Sequence, residues 1–365
     1  MRYFLIAGEA SGDLHGANLM KALKDKDSSA VFNFWGGDKM GSESEGLLRH
    51  YRDHAIMGFV EVVLKLDKIL SDISQCKKHI LEFKPDVVVF IDYAGFNLRI
   101  AEFCKKHGFR TVYYISPKVW AWKENRAKKL EKYVDELLLI FPFEKEYFKK
   151  WKVKSTYVGN PLLDEIAEFK PNPDFFTENK LDNRPIIAVL PGSRRQEVNK
   201  MLPIMLDATK KFTGHQLVIA GAPGLDGKIY EPFLNERLKI VFGQTYDLLH
   251  CSEIAVVCSG TATLETALFS VPQVCGYAGN QISYWIIKML ANIEYISLVN
   301  LNLRRTCITE LIQHEMNPKR LGEEIALILP GGNNREKMEA DYAELREMLG
   351  NKGASERAAD IILGH

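Results

Sequence analysis

Ile186-Ile-Ala-Val-Leu190 runs straight into Pro191-Gly-Ser-Arg194, and a stretch of helical period follows from Glu197 to Phe212. The five leading residues are apolar on both faces of an extended chain, the requirement for a strand buried in a parallel sheet. Just upstream, Lys170-Pro-Asn-Pro-Asp174 through Asn183-Arg-Pro185 is polar, proline-rich and aperiodic, and reads as a linker. Strand–helix alternation therefore restarts at residue 186, having already filled the first half. There the strand candidates are Tyr3–Ala7, Val31–Trp35, Val87–Ile91, Thr111–Ile115, Leu137–Ile140 and Thr156–Val158, with amphipathic stretches at Leu14–Leu23, Met57–Ile73 and Asn97–Lys106. Beyond the linker come Ile186–Leu190, Gln216–Ala220, Lys239–Phe242, Ile254–Cys258 and Gln273–Cys275, with a further helix near Thr261–Phe269. The pattern predicts an α/β protein of two Rossmann-like domains, residues 1–169 and 170–339, whose parallel sheets face a central cleft.

The 365 residues leave room for two ordinary domains, and 46% hydrophobic with 26% charged residues suits a chain with a real core. Lys and Arg number 48 against 47 Asp and Glu, which argues against a nucleic-acid partner. The six cysteines (Cys76, Cys104, Cys251, Cys258, Cys275 and Cys307) show no CxxC spacing and sit mostly in apolar segments, so reduced, buried, inert thiols are expected. The short apolar start, Tyr3–Ala7, meets polar Glu9, Ser11 and Asp13 too soon for a signal peptide. No run approaches the roughly 18 apolar residues of a spanning helix. A cytoplasmic location is expected, with any membrane contact peripheral.

Ligands of such sheets sit beyond the C-terminal strand ends. After the first strand comes Gly8-Glu-Ala-Ser-Gly-Asp13, a polar loop opening a helix, suited to an anion or a polyhydroxy group but equally to a plain turn capped by Ser11 or Asp13. After Val87–Ile91 stands Asp92, placed as a general base would be, or as a structural partner for backbone amides. In the second half, Gly192 and Ser193 offer amides and Arg194 a planar fork for phosphate oxygens. Ser259-Gly260-Thr261 begins a second such helix start, with Glu265 one to two turns in, within reach of ribose hydroxyls. Two anion-binding starts in one half and candidate bases in the other fit a nucleotide-sugar donor facing an acceptor. Metal ligands are thin: Asp25-Lys-Asp27 matches a DxD pattern but lies in a run of alternating charge and reads as solvated surface. No metal and no cofactor are expected.

These stretches, with Met57-Gly-Phe-Val-Glu61, Lys84-Pro-Asp-Val, Ile91-Asp-Tyr with Phe96-Asn97, Tyr114-Ile-Ser-Pro-Lys-Val-Trp-Ala-Trp122, Phe141-Pro-Phe-Glu144 and Tyr295-Ile-Ser-Leu-Val-Asn300, resemble the lipid A disaccharide synthases. The likeness runs through essentially the whole chain in order, and the Ser-Pro-x-Val-Trp-Ala-Trp segment is particular to that family. It implies the GT-B fold and an inverting, metal-free transfer at the cytoplasmic face of the inner membrane. The donor would be UDP-2,3-diacylglucosamine and the acceptor 2,3-diacylglucosamine 1-phosphate (lipid X), giving the β-1,6-linked disaccharide 1-phosphate and UDP. By position it makes Asp92 the essential carboxylate, Arg194 the essential arginine, and Glu265 and Asn300 part of the UDP pocket. It also suggests a homodimer with exchanged C-terminal helices, here residues 340–365 crossing back to an N-terminal domain. Two departures stand out. Asn160 occupies the place of a common histidine and receives no catalytic role, and Ala94 replaces a common proline after Asp-x.

The expected chemistry is a single displacement, with Asp92 as base and Glu9 or Asp13 as rivals for that task. A UDP-sugar 2-epimerase could use the same double-Rossmann plan without acyl-chain contacts; a non-catalytic UDP-sugar-binding module would leave Asp92 without a task. Read as a helix, Met57–Ile73 puts Phe59, Val62, Val63, Leu66, Ile69, Leu70 and Ile73 on one core stripe and Glu61, Lys65, Lys68 and Asp72 on a polar face. Met57, Val60 and Leu64 widen the apolar flank beside Lys65 and Lys68, a pattern suited either to a covering helix or to an anionic membrane surface.

Overall fold

The computed structural model describes residues 1–53, 66–117, 125–222, 224–233, 238–279 and 294–364. By contacts the chain forms two compact units, Met1–Asp164 with Asn351–His365, and Glu165–Gly350.

In the first unit the strands are β1 (Arg2–Ala7), β2 (Val31–Gly36), β3 (Leu47–His50), β4 (Val87–Ile91), β5 (Arg110–Tyr114), β6 (Glu136–Leu139) and β7 (Ser155–Tyr157). Among the described residues they form one parallel sheet in the order β3-β2-β1-β4-β5-β6-β7. The helices are α1 (Ala10–Lys26), α2 (Asp38–Glu43), α3 (Leu66–Phe83), α4 (Ala94–Lys106), α5 (Asn125–Tyr133), α6 (Pro142–Phe148) and α7 (Pro161–Glu168), the last running across the unit boundary. The strand order changes sense between β1 and β4, the switch point at which such sheets open a crevice. Every residue of β4 is buried, and Val87, Val88 and Val89 supply the branched side chains that favour a strand.

Helix α3 shows how the core selects a face. Ile69, Ile73, Cys76, Ile80 and Phe83 recur at spacings of three and four and pack into the core with Phe4, Trp35, Val88 and Phe90. This face corrects two expectations. Leu70 lies beside it and is 56% exposed, while Asp72 is buried, paired with Arg49 at 3.2 Å. Residues 54–65, including Met57, Val60 and Leu64, lie outside the described residues.

The second unit repeats the plan. Its helices are α8 (Phe175–Glu178), α9 (Arg195–Thr209), α10 (Thr245–His250), α11 (Thr261–Leu268), α12 (Leu298–Leu303), α13 (Pro318–Ile328) and α14 (Arg335–Leu349). The strands β8 (Ile186–Leu190), β9 (Gln216–Gly221), β10 (Leu238–Phe242), β11 (Ser252–Cys258), β12 (Gln273–Tyr277) and β13 (Glu310–Ile312) form a second parallel sheet, β10-β9-β8-β11-β12-β13 among the described residues. Its switch point lies between β8 and β11. The presumptive linker is docked rather than free: Phe175 is buried and the Asn172 amide donates to Asp247 at 2.7 Å.

The unit boundary falls at 164/165, where the sequence pointed to 169/170, and the return to the first unit begins at 351 rather than 340. Helix α14 stays in the second unit, where buried Tyr342 accepts a hydrogen bond from Gln273 at 3.2 Å. The last helix, α15 (Ala354–Leu363), packs on α1 and starts on the Asp164 carboxylate, which accepts the Ala354 amide at 3.0 Å. Strand β5 ends at Tyr114 because Ile115 adopts φ +66°, outside any strand conformation.

Candidate active site

Of the expected site residues, Glu9 and Asp92 follow the strands at the first switch point, and Gly192–Arg194 and Ser259–Thr261 follow those at the second. Ala7, the last residue of β1, pairs with Ile91, the last of β4, so Gly8 and Asp92 emerge side by side. Asp92 and Tyr93 both adopt the left-handed region, at φ +45° and +48°. Two consecutive non-glycine residues there store strain, which surrounding structure must hold in place. The restraint is visible: the Asp92 amide donates to Tyr114 O at 3.2 Å, and the Asp92 carbonyl accepts from Asn97 Nδ2 at 2.9 Å and from the buried Tyr113 hydroxyl. With its backbone pinned at both ends, Asp92 presents its half-buried side chain beyond β4. Burial, and then the Asp92 charge, push the Tyr113 phenol far above its usual range, so it stays a proton donor. Arg126 on α5 also lies in the field of Asp92, and burial lowers its pKa.

Gly8 is required here, since a Cβ would stand 2.3 Å from the Tyr93 ring. Burial, then Asp72 and Glu9, push the Tyr93 phenol up to about 12. Glu9 occupies the N-cap position of α1 without a side-chain capping bond and is exposed. Asp13 is committed elsewhere. It is 2% exposed, and its carboxylate accepts the amides of Gly37 (2.7 Å), Lys39 (3.0 Å) and Met40 (3.1 Å), so it caps α2 rather than α1. A carboxylate holding three amides is poorly placed to take a substrate proton. Asn160 is likewise structural: it is buried, donating to Ile140 O at 3.2 Å and accepting Leu162 N at 3.1 Å. Two of the quoted motifs meet where the Ser116 hydroxyl donates to buried Glu144, whose other oxygen accepts Phe141 N at 3.1 Å; residues 118–124 lie outside the described residues.

In the second unit Leu190 and Val257 are paired, so the loops 191–194 and 259–261 also leave the sheet together. Gly192 has φ +111°, and a Cβ would lie 2.6 Å from Glu197 Oε2. The Ser193 amide, expected to face phosphate, donates instead to that same oxygen at 3.0 Å, and so does the Arg194 amide at 3.2 Å. Arg194 itself is 64% exposed, with Nη1 3.7 Å from Glu197 Oε1. The group this loop leaves exposed is therefore the guanidinium, and Glu197 is a partner of the loop that sequence reading passed over. Its signal was present as an acidic residue three positions after the N-cap residue Arg194, the capping-box spacing. Burial, then Glu197, push the adjacent Cys258 thiol up to about 12.

Helix α11 begins at Thr261, and the first amides of a helix have no intrahelical acceptor. The Ser259 hydroxyl donates to Ile296 O at 3.0 Å. Asn300 does not offer its side chain to a ligand. It is fully buried, its Nδ2 donates to Ile308 O and Glu310 Oε1 at 2.9 Å each, and its Oδ1 accepts Cys307 N and Ile308 N at 2.8 and 3.0 Å. Glu310 in turn accepts Ile296 N at 2.8 Å, so this buried knot links Asn300 to the residue that holds the Ser259 hydroxyl. Glu265 is half-buried and 3.2 Å from the Tyr246 hydroxyl. Of the DxD pair, Asp27 is spent on the Met1 ammonium at 2.6 Å and on Tyr3 at 2.8 Å.

Residues 3–363 match the family model described as lipid-A-disaccharide synthetase. The lipid-A-disaccharide synthase of Syntrophus aciditrophicus is 36% identical over 368 residues, covering 98% of this chain and 96% of that protein. That of Myxococcus xanthus is 35% identical over 374 residues, covering 99% and 97%. The chain belongs to the lipid-A-disaccharide synthetase family. It is accordingly a glycosyltransferase of lipid A biosynthesis. Among solved structures, the UDP-GlcNAc 2-epimerase of Neisseria meningitidis aligns with TM-score 0.70 at 12% identity over 100% of both chains. The glycotransferase of kitacinnamycin aligns with TM-score 0.63 at 13% identity, over 99% of this chain and 98% of that one. At such identities the likeness shows a shared fold of GT-B type and nothing of the reaction. Within the lipid-A-disaccharide synthetase family frame, Asp92 and Arg194 stand at the strand ends flanking the two switch points, and no described helix is long and apolar enough to cross a membrane.

Proposed function

We propose that the chain transfers 2,3-diacylglucosamine from UDP-2,3-diacylglucosamine to 2,3-diacylglucosamine 1-phosphate (lipid X), with inversion at the anomeric carbon. Asp92, held in its left-handed conformation beyond β4, carries this reading. Its carboxylate takes the proton of the acceptor 6-hydroxyl as that oxygen bonds to the anomeric carbon. The bond from that carbon to the diphosphate breaks on the opposite face, and UDP leaves with the electron pair. Arg194 and the first amides of α11 stabilise the departing charge, and Glu265 accepts the ribose hydroxyls. Arg194→Ala then lowers turnover by on the order of 10²–10³.

Product analysis by mass spectrometry with both lipids, with and without chelator, tests the reaction; loss of activity on chelation would sink the metal-free mechanism. Asp92→Asn should retain fold and UDP binding and lose transfer. Both substrates are acylated, so we further propose peripheral binding at the inner-membrane surface through Met57, Val60 and Leu64. Val60→Ser with Leu64→Glu should lower partition into anionic vesicles. A homodimer exchanging α15 would repeat the Asp164 contact between chains, and light scattering tests it.

A further inference from the structure

Tyr246 stands on α10 with its hydroxyl 3.2 Å from Glu165 Oε2 and 3.2 Å from Glu265 Oε1. A phenol has one proton to donate, so it serves one carboxylate at a time. Burial, and then the charges of Glu265 and Glu165, raise the phenol far above its usual range, so the proton stays on Tyr246 and the oxygen remains a donor. Two aromatic rings flank its own. Phe169 packs edge-on at 5.8 Å and Phe269 lies tilted at 5.1 Å, and the two phenylalanines meet each other at 5.5 Å. Helix α10 is moored as well, by Asp247 accepting the Asn172 amide at 2.7 Å and by Gln244, next to its start, accepting Asn179 Nδ2 at 2.9 Å.

A rigid donor aimed at one carboxylate oxygen fixes that carboxylate's plane, and it directs the second oxygen. We propose that Tyr246 is a positioning residue for donor binding: it orients Glu265 to accept the cis-diol of the ribose, with Glu165 as the alternative seat for its hydrogen bond. The inference rests on the reading of Glu265 as the ribose acceptor. It identifies the ribose, rather than the base or the diphosphate, as the part of the donor that Tyr246 governs.

Calorimetric titration with UDP and with 2′,3′-dideoxy-UDP isolates that part. The wild-type protein should prefer UDP, and Glu265→Ala should erase the preference. Tyr246→Phe keeps both ring contacts and should shrink the preference by about two- to tenfold, the span of one hydrogen bond of ordinary strength, while binding of the dideoxy ligand changes less than about twofold. Glu165→Gln should keep or raise the preference, because the new amide donates to the Tyr246 oxygen and leaves the phenol proton to Glu265. If Glu265→Ala retains the preference, the ribose reading itself fails. If Glu265→Ala erases it but Tyr246→Phe keeps it in full, or weakens both ligands alike, Tyr246 has no positioning role and the ribose reading stands. A lower preference in Glu165→Gln would also overturn the proposal.

Discussion

Asn97 grips Asp92 by its main chain: the Asn97 side-chain amide donates to the Asp92 carbonyl at 2.9 Å, and approaches Ile91 O and Ile6 O at 3.3 and 3.4 Å. One buried NH₂ group thus ties the ends of β1 and β4 to the strained turn that displays the carboxylate. A donor surrounded by carbonyls makes a sharp demand on chemistry. Asn97→Ala leaves carbonyls short of a partner, at a cost of about 1–3 kcal/mol. Asn97→Asp replaces the donor with an acceptor among acceptors and should be the worse of the two. Thermal unfolding should rank wild type, Asn97→Ala, Asn97→Asp in falling order, and transfer should fall with the loss of the Asp92 turn.

Glu197 supplies the equivalent grip in the second unit. Because its Oε2 accepts both the Ser193 and the Arg194 amides, the carboxylate shapes the loop that carries Arg194. A glutamine carbonyl can accept the same two amides, an alanine cannot. Glu197→Gln should keep kcat/KM within about threefold of wild type. Glu197→Ala should lower it by about tenfold or more, the loss of one to two hydrogen bonds in loop placement. Equal kinetics for the two variants would remove Glu197 from the site.

Much of this architecture was legible in the sequence because buried parallel strands are apolar on both faces. Val87–Ile91 and Ile186–Leu190 have the bounds read from sequence, and the loops after β1, β4, β8 and β11 were all marked as ligand loops. The short edge strands β3 and β13 were missed: Leu47-Leu-Arg-His50 is half exposed and Glu310-Leu-Ile312 is three residues long, so neither forms an apolar run. Partnerships were less legible than positions. Asp13 looked like a ligand group because polar side chains in glycine-rich loops usually are exposed, and Asn300 was placed in the UDP pocket by the family resemblance alone. Folding buries both and spends them on the amides of Gly37 and Lys39, and of Cys307 and Ile308. Tyr246 and Glu165 are 81 residues apart, and no local pattern announces such a pair.

The first unit should lose stability on mild acidification through His79. The buried Trp35 indole donates to His79 Nδ1 at 3.1 Å, which requires the neutral ring. Burial, with help from Lys78 and Arg49 and against Glu82, lowers the His79 pKa from its usual value. The folded state then binds fewer protons than the unfolded one. This contribution is fully present above the unfolded value of about 6.5 and is lost as pH falls below it through the folded pKa. The urea midpoint should therefore drop between neutral pH and about pH 5, and less steeply in His79→Gln, whose carbonyl can still accept the indole N–H. Parallel slopes for the two proteins would remove His79 as the cause.

Asp13 and Asp92 should separate cleanly when each is converted to asparagine. Asp13 Oδ1 accepts the Gly37 and Met40 amides and Oδ2 accepts Lys39, so all three bonds end on one buried carboxylate. An asparagine has a single oxygen there. Whichever way it turns, its NH₂ group faces at least one N–H, leaving a buried donor unmatched at a cost of about 1–3 kcal/mol. The helix start at α2 also loses the negative charge that favours it. Asp13→Asn should thus show a lower urea midpoint at unchanged slope, with the folded fraction still transferring sugar at a rate near wild type. Asp92→Asn should show the reverse, because its backbone bonds to Tyr114, Asn97 and Tyr113 do not involve the altered atom. Its unfolding curve should match wild type while turnover disappears. If instead Asp13→Asn unfolds as the wild type does and loses turnover, the base is Asp13, and the geometry at Gly37 and Lys39 must open when substrate binds.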